Sequence, residues 1–118
     1  MNPGAVAAAE PLGLDLLWVC TSDDVPLGEG RAVTVGSRRI AVFNTPTGWF
    51  ALDDACPHRG GPLADGLVAD RCVTCPLHER RFDLATGAAL SGGDDAASHG
   101  IVVRGDDILV ELPLGPEA

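Results

Sequence analysis

The chain of 118 residues contains no lysine and no tyrosine, and only one methionine. Its eight basic residues are therefore all arginines, set against seventeen acids for a net charge of −9. That balance argues against nucleic acid or an anionic membrane surface as a partner. Long apolar runs are missing too. The run Leu16 to Cys20 is far too short to cross a bilayer. The Ala-rich start has no positively charged region and is interrupted by Glu10 and Pro11. Residues 1–11 are thus expected to form a disordered tail rather than a signal peptide, and the chain is expected to stay in the cytoplasm. Aromatics are scarce, so a domain of this length has little apolar area to bury, and a bound metal centre would serve it as a staple.

What is present is β-type text. Short apolar or alternating runs recur, each closed by Gly, Pro, Asp or Asn, and no stretch sustains a helical period. Leu14 to Cys20 reads as a first strand, followed by a turn at Asp23-Asp24-Val25-Pro26. Gly36-Ser37 is a two-residue hairpin signal between Arg31–Val35 and Arg38–Phe43. Thr45-Pro46-Thr47-Gly48 turns the chain into Trp49–Leu52, and Gly105-Asp106-Asp107 joins Ile101–Arg104 to Ile108–Leu112. Ser91 to His99 reads as a polar loop in which His99 is solvated. One all-β domain over residues 12–114 follows. Its base is an antiparallel sheet from about 12–53 and 91–114, carrying a smaller lobe at about 54–90.

That lobe holds the chemistry. Cys56-Pro57-His58 is followed, after sixteen residues, by Cys75-Pro76-Leu77-His78. Each half offers one thiolate and one imidazole within a very short span. Two soft sulfurs and two nitrogens interleaved in this way fit a [2Fe–2S] cluster in which two cysteines hold one iron and two histidines the other. Zinc is the competing metal, but structural zinc sites pair a Cys-x₂₋₄-Cys knuckle with a second such knuckle or with His-x₃₋₅-His, and Cys-x-His with Cys-x-x-His, each flanked by proline, matches neither. Pro57 and Pro76 fix φ after each cysteine, and Gly60-Gly61-Pro62 leaves room for backbone beside the ligands. Cys20 and Cys72 are left over. In a cytosolic chain they are expected to be buried free thiols rather than a disulfide. Cys72-Val73-Thr74-Cys75 spells a thioredoxin-like C-x-x-C, but without the βαβ context that reading is rejected.

With the text Cys-Pro-His-Arg-Gly-Gly-Pro-Leu and Cys-Pro-Leu-His, the chain resembles the Rieske ferredoxin-like family over roughly residues 14 to 112. The resemblance implies stacked antiparallel sheets with two loops gripping the cluster through Cys56, His58, Cys75 and His78. It also implies a one-electron carrier without a catalytic site of its own. High-potential members of the family tie the two loops with a disulfide and place hydroxyl donors where this chain has Arg80 and Phe82. Their absence here points to the low end of the Rieske range, about −150 mV. Glu79 stands where many relatives have glycine.

Two carrier roles fit the resemblance. Ile40-Ala41-Val42-Phe43, the Asp53-to-Leu63 loop, and Cys75-Pro76-Leu77-His78-Glu79 through Arg81-Phe82-Asp83-Leu84 with Thr86-Gly87 look most like the small subunit of assimilatory NAD(P)H nitrite reductase. Its partner would be a large sirohaem- and flavin-containing subunit that reduces nitrite to ammonia. The alternative is the ferredoxin of an aromatic ring-hydroxylating dioxygenase, with an oxygenase as partner. A reading of another class is a structural or redox-sensing metal-binding module. Arg59, Arg71, Arg80 and Arg81 either balance Asp65, Asp70 and Asp83 or form a docking rim.

Overall fold

Turn chemistry and strand burial build the architecture in the computed structural model, which describes residues 14–57, 61–77 and 79–113. The strands are β1 (Leu14–Thr21), β2 (Glu29–Val35), β3 (Arg38–Thr45), β4 (Gly48–Asp53), β5 (Leu67–Ala69), β6 (Cys72–Thr74), β7 (Arg81–Asp83), β8 (Ser98–His99), β9 (Ile101–Arg104) and β10 (Asp107–Pro113). All pairings are antiparallel, in three sheets ordered β1-β10-β9, β2-β3-β4-β8 and β5-β6-β7. No helix among the described residues is long and apolar enough to cross a membrane. The expected tail 1–11 lies outside the described residues.

Gly36-Ser37 is the hairpin turn that its sequence predicts. Val35 pairs with Arg38, and Gly36 takes φ +62°, the left-handed region that glycine enters without steric cost. The last hairpin is one residue tighter than expected. Asp107 pairs with Arg104, so Gly105-Asp106 alone makes the turn. The Asp23–Pro26 turn is a 3-10 turn over Ser22–Asp24, where Asp24 accepts from both the backbone N–H and the hydroxyl of Thr21.

β3 is the middle of the molecule. Ile40, Ala41, Val42 and Phe43 are all fully buried, because the sheet containing β3 is covered on both faces. Successive side chains point to opposite faces of a strand. Ile40 and Val42 accordingly join a core with Cys20, Val25, Ala51, Ile108, Val110 and Leu112 beneath the β1-β10-β9 sheet. Ala41 and Phe43 enter a second core with Leu52, Leu63, Val73, Phe82 and Leu84 beneath the lobe. An uninterrupted apolar run is what a strand buried on both faces requires. The expected single base is therefore two stacked sheets, and the lobe lies against the far face of the second.

His99 departs from the expectation. Ser98–His99 forms β8 beside β4, with His99 opposite Ala51. Its side chain is 7 % exposed, with Nε2 2.8 Å from Asp53 Oδ1. His99 is packed and paired, not solvated. A two-residue strand between Ala97 and Gly100 leaves no periodic signal, and the partner of His99 lies 46 positions away.

Candidate metal centre

The first ligand loop runs from Ala55 to Pro62, which form an isolated antiparallel bridge. Cys56 N–H donates to Gly61 O at 2.8 Å and closes the loop from within. Asp54 anchors its base with all four backbone and side-chain polar groups. Its N–H donates to Arg39 O at 3.0 Å, and its C=O accepts from Leu63 N–H at 2.7 Å. Its Oδ1 accepts from Ala64 N–H at 2.9 Å, and Oδ2 accepts from Arg39 Nε at 2.8 Å. The carboxylate is 3 % exposed, so its desolvation is offset by these bonds and by the guanidinium.

The second loop, residues 75–80, closes on itself between β6 and β7. Cys75 N–H donates to Arg80 O at 2.7 Å, and Glu79 N–H to Cys75 O at 3.0 Å. Glu79 has φ +55°, which costs a side-chain-bearing residue of order 1–2 kcal/mol and explains why glycine suits this position. Segment 91–92 braces the loop from outside. Arg80 Nη1 donates to Gly92 O at 2.6 Å, and Arg81 N–H to Ser91 Oγ at 3.2 Å.

Both loops bring their cysteines into the same core cluster, where Cys56 and Cys75 are buried. A Cβ added at Gly61 would stand 3.0 Å from Cys75 Sγ and 2.9 Å from Leu77, so glycine keeps space beside the thiol. Two soft donors in a water-poor site, with a glycine held against one of them, fit an iron–sulfur centre. His58, Arg59, Gly60 and His78 lie outside the described residues.

The other cysteines play no part in this cluster. All four thiols are free, and no disulfide joins Cys20 to Cys72. Cys20, on β1 opposite Ile108 of β10, is buried, and burial pushes its thiol pKa up, with Asp24 adding to the rise. Cys72 is half-buried rather than buried, a correction to the expectation. It sits at the start of a lobe strand whose inward position is Val73. The arginines also differ from the balancing reading. Among the described residues the ion pairs are made by Arg38, Arg39 and His99, and Arg71, Arg80 and Arg81 make none with Asp65, Asp70 or Asp83.

The model of the Rieske [2Fe-2S] domain matches residues 15–101, a span that includes both loops. This chain belongs to the Rieske [2Fe–2S] family. Its cofactor is accordingly a Rieske-type [2Fe–2S] cluster and its activity is electron transfer. The 3-phenylpropionate/cinnamic acid dioxygenase ferredoxin subunit of Escherichia coli K12 is 35% identical over 103 residues, covering 85% of this chain and 96% of that protein. The ferredoxin of carbazole 1,9a-dioxygenase from Nocardioides aromaticivorans IC177 superposes with a TM-score of 0.74 at 29% identity, over 80% of this chain and 95% of the other. A chain described as an NADH-dependent nitrite reductase small subunit from Mycobacterium tuberculosis gives 0.79 at 22% identity, over 86% and 98%. That last likeness concerns the fold.

Sequence reasoning missed Asp54, Arg39 and Ser91 as supports of the loops. The one signal for Asp54 was an acid inside the otherwise apolar text leading into Cys56, beside the more exposed Asp53.

Proposed function

We propose that this protein is the ferredoxin component of an aromatic ring-hydroxylating oxygenase system, carrying one electron at a time to the oxygenase. Cys56, His58, Cys75 and His78 hold the cluster, which takes up and gives back a single electron. The chain's own residues supply the rest. Asp54 and Arg39 hold the first loop, the Arg80–Gly92 and Arg81–Ser91 bonds hold the second, and the buried second core keeps water from the thiolates. The observation that carries this reading is the 35% identity to a dioxygenase ferredoxin subunit across nearly its whole length.

The text that resembles a nitrite reductase small subunit has a packing explanation. Ile40–Phe43 is the strand buried on both faces, and Phe82 and Leu84 fill the second core. At Gly87, with φ +80°, a Cβ would collide with the Ala96 carbonyl. These stretches speak for the scaffold and not for the partner.

The test is reconstitution. Anaerobically prepared protein is supplied to E. coli 3-phenylpropionate/cinnamic acid dioxygenase lacking its ferredoxin subunit, and in parallel to a sirohaem nitrite reductase large subunit. Restored hydroxylation, with a midpoint potential near the low end of the family range at about −150 mV, is the expected outcome. Support of nitrite reduction alone would transfer the assignment to the other role. Absence of iron and acid-labile sulfide would remove both.

A further inference from the structure

The lobe sheet has two rows of side chains running across it. Directly opposed residues of antiparallel strands share a face. Val68 pairs with Val73, Val73 with Phe82, and Phe82 with Ala89, and this row packs into the second core. One residue along each strand, the opposite face carries Leu67, Thr74 and Arg81 in register. Leu90 extends that row, because its N–H donates to Arg81 O at 2.8 Å beside the Phe82–Ala89 bridge. Leu67 is 72% exposed and Leu90 48% exposed, and Arg81 is exposed between them. Thr74 leads directly into Cys75, and Leu77 on the second loop is 56% exposed. Half of the large apolar side chains exposed among the described residues thus lie in this lobe.

Charge sets the lobe apart as well. Residues 54–90 hold four arginines against five carboxylates, whereas the rest of the chain holds four against twelve. The protein is therefore polarised, with an acidic body and a nearly neutral lobe. Among the described residues, Arg81 has no carboxylate partner there.

We propose that the row Leu67–Thr74–Arg81–Leu90 is the surface on which the redox partner docks, and that the partner offers an apolar patch with a carboxylate opposite Arg81. The proposal rests on the electron-carrier reading and adds the chemistry of the contact. An acidic partner surface would repel the body of this protein and accept the lobe, so long-range charge orients the encounter and the leucines hold it. A second copy of this chain fits the row poorly. A two-fold contact would lay Leu67 over Leu90 and Thr74 over Arg81, leaving two arginines without an acid.

The experiment measures the rate of electron transfer from the reduced holoprotein to the E. coli dioxygenase lacking its ferredoxin, and to the sirohaem subunit, by stopped flow. The variants are Arg81→Gln, the double variant Leu67→Ser/Leu90→Ser, and Val103→Ser, an exposed residue of β9, as control. The visible spectrum and midpoint potential of each cluster are recorded. The expected result is a fall of about tenfold in the second-order rate constant for the leucine variant at every salt concentration. For Arg81→Gln the fall appears at low salt and closes as salt rises, while Val103→Ser matches the wild type. Wild-type rates in both lobe variants, with transfer to the dioxygenase intact, overturn the docking row and leave the proposed function standing. Transfer only to the sirohaem subunit reverses that: the function reading falls, and the row is judged by the same variants on that protein. Transfer to neither overturns both, and a wild-type dimer dissolved by Leu67→Ser/Leu90→Ser with unchanged transfer assigns the row to self-association.

Discussion

Asp54 concentrates the positional precision of the first loop in one side chain. It joins β3 through Arg39 to the 3-10 turn Leu63–Asp65 through Ala64, across the segment that carries Cys56. Asp54→Ala leaves the buried Ala64 N–H without an acceptor, which costs about 1–3 kcal/mol, whereas Arg39 is largely exposed and re-solvates when its partner goes. Urea unfolding of the holoprotein should show that loss, and visible absorbance should decay before the β-sheet circular dichroism does. Coincident loss of the two signals at wild-type stability would contradict it. The candidate ligands stood out in the sequence because thiolate and imidazole in a fixed short spacing have few other uses. Asp54 was not, since an acid that satisfies backbone groups ten residues on looks the same in sequence as the exposed acids around it.

At the level of strands, the turns and the apolar runs agreed, and that agreement made the main hairpins readable. Gly36-Ser37 and Gly105-Asp106 stand where a strand pair must reverse, and the middle of β3, Ile40–Phe43, has no polar position because both its faces are covered. β8 escaped notice for the opposite reason: two residues carry no period, and only β4 and the Asp53–His99 contact define them. Strand position also separates the two spare thiols. Cys20 is buried with its thiol pKa raised, and Cys72 is half-buried at the rim of the lobe sheet. Iodoacetamide at pH 8, followed by mass spectrometry of the native holoprotein, should therefore alkylate Cys72 well ahead of Cys20. Equal rates would mean that β1 opens as readily as the lobe.

Across the whole molecule, the two cores differ in what sustains them. The core beneath β1-β10-β9 is made of strand side chains and Val25 of the first turn, whereas the other includes both candidate thiolate ligands. Removing the metal with a chelator under reducing conditions should accordingly raise amide hydrogen exchange across residues 67–90, while β1, β3 and β10 keep their protection. Uniform loss of protection would show instead that the sheets cannot stand without the cluster. β3 is the wall between these compartments, with Ala41 and Phe43 facing one room and Ile40 and Val42 the other. A protein engineer thus has two separate dials on one segment. Odd-numbered positions from 41 to 43 adjust the redox end, and their even-numbered neighbours adjust the ballast behind it.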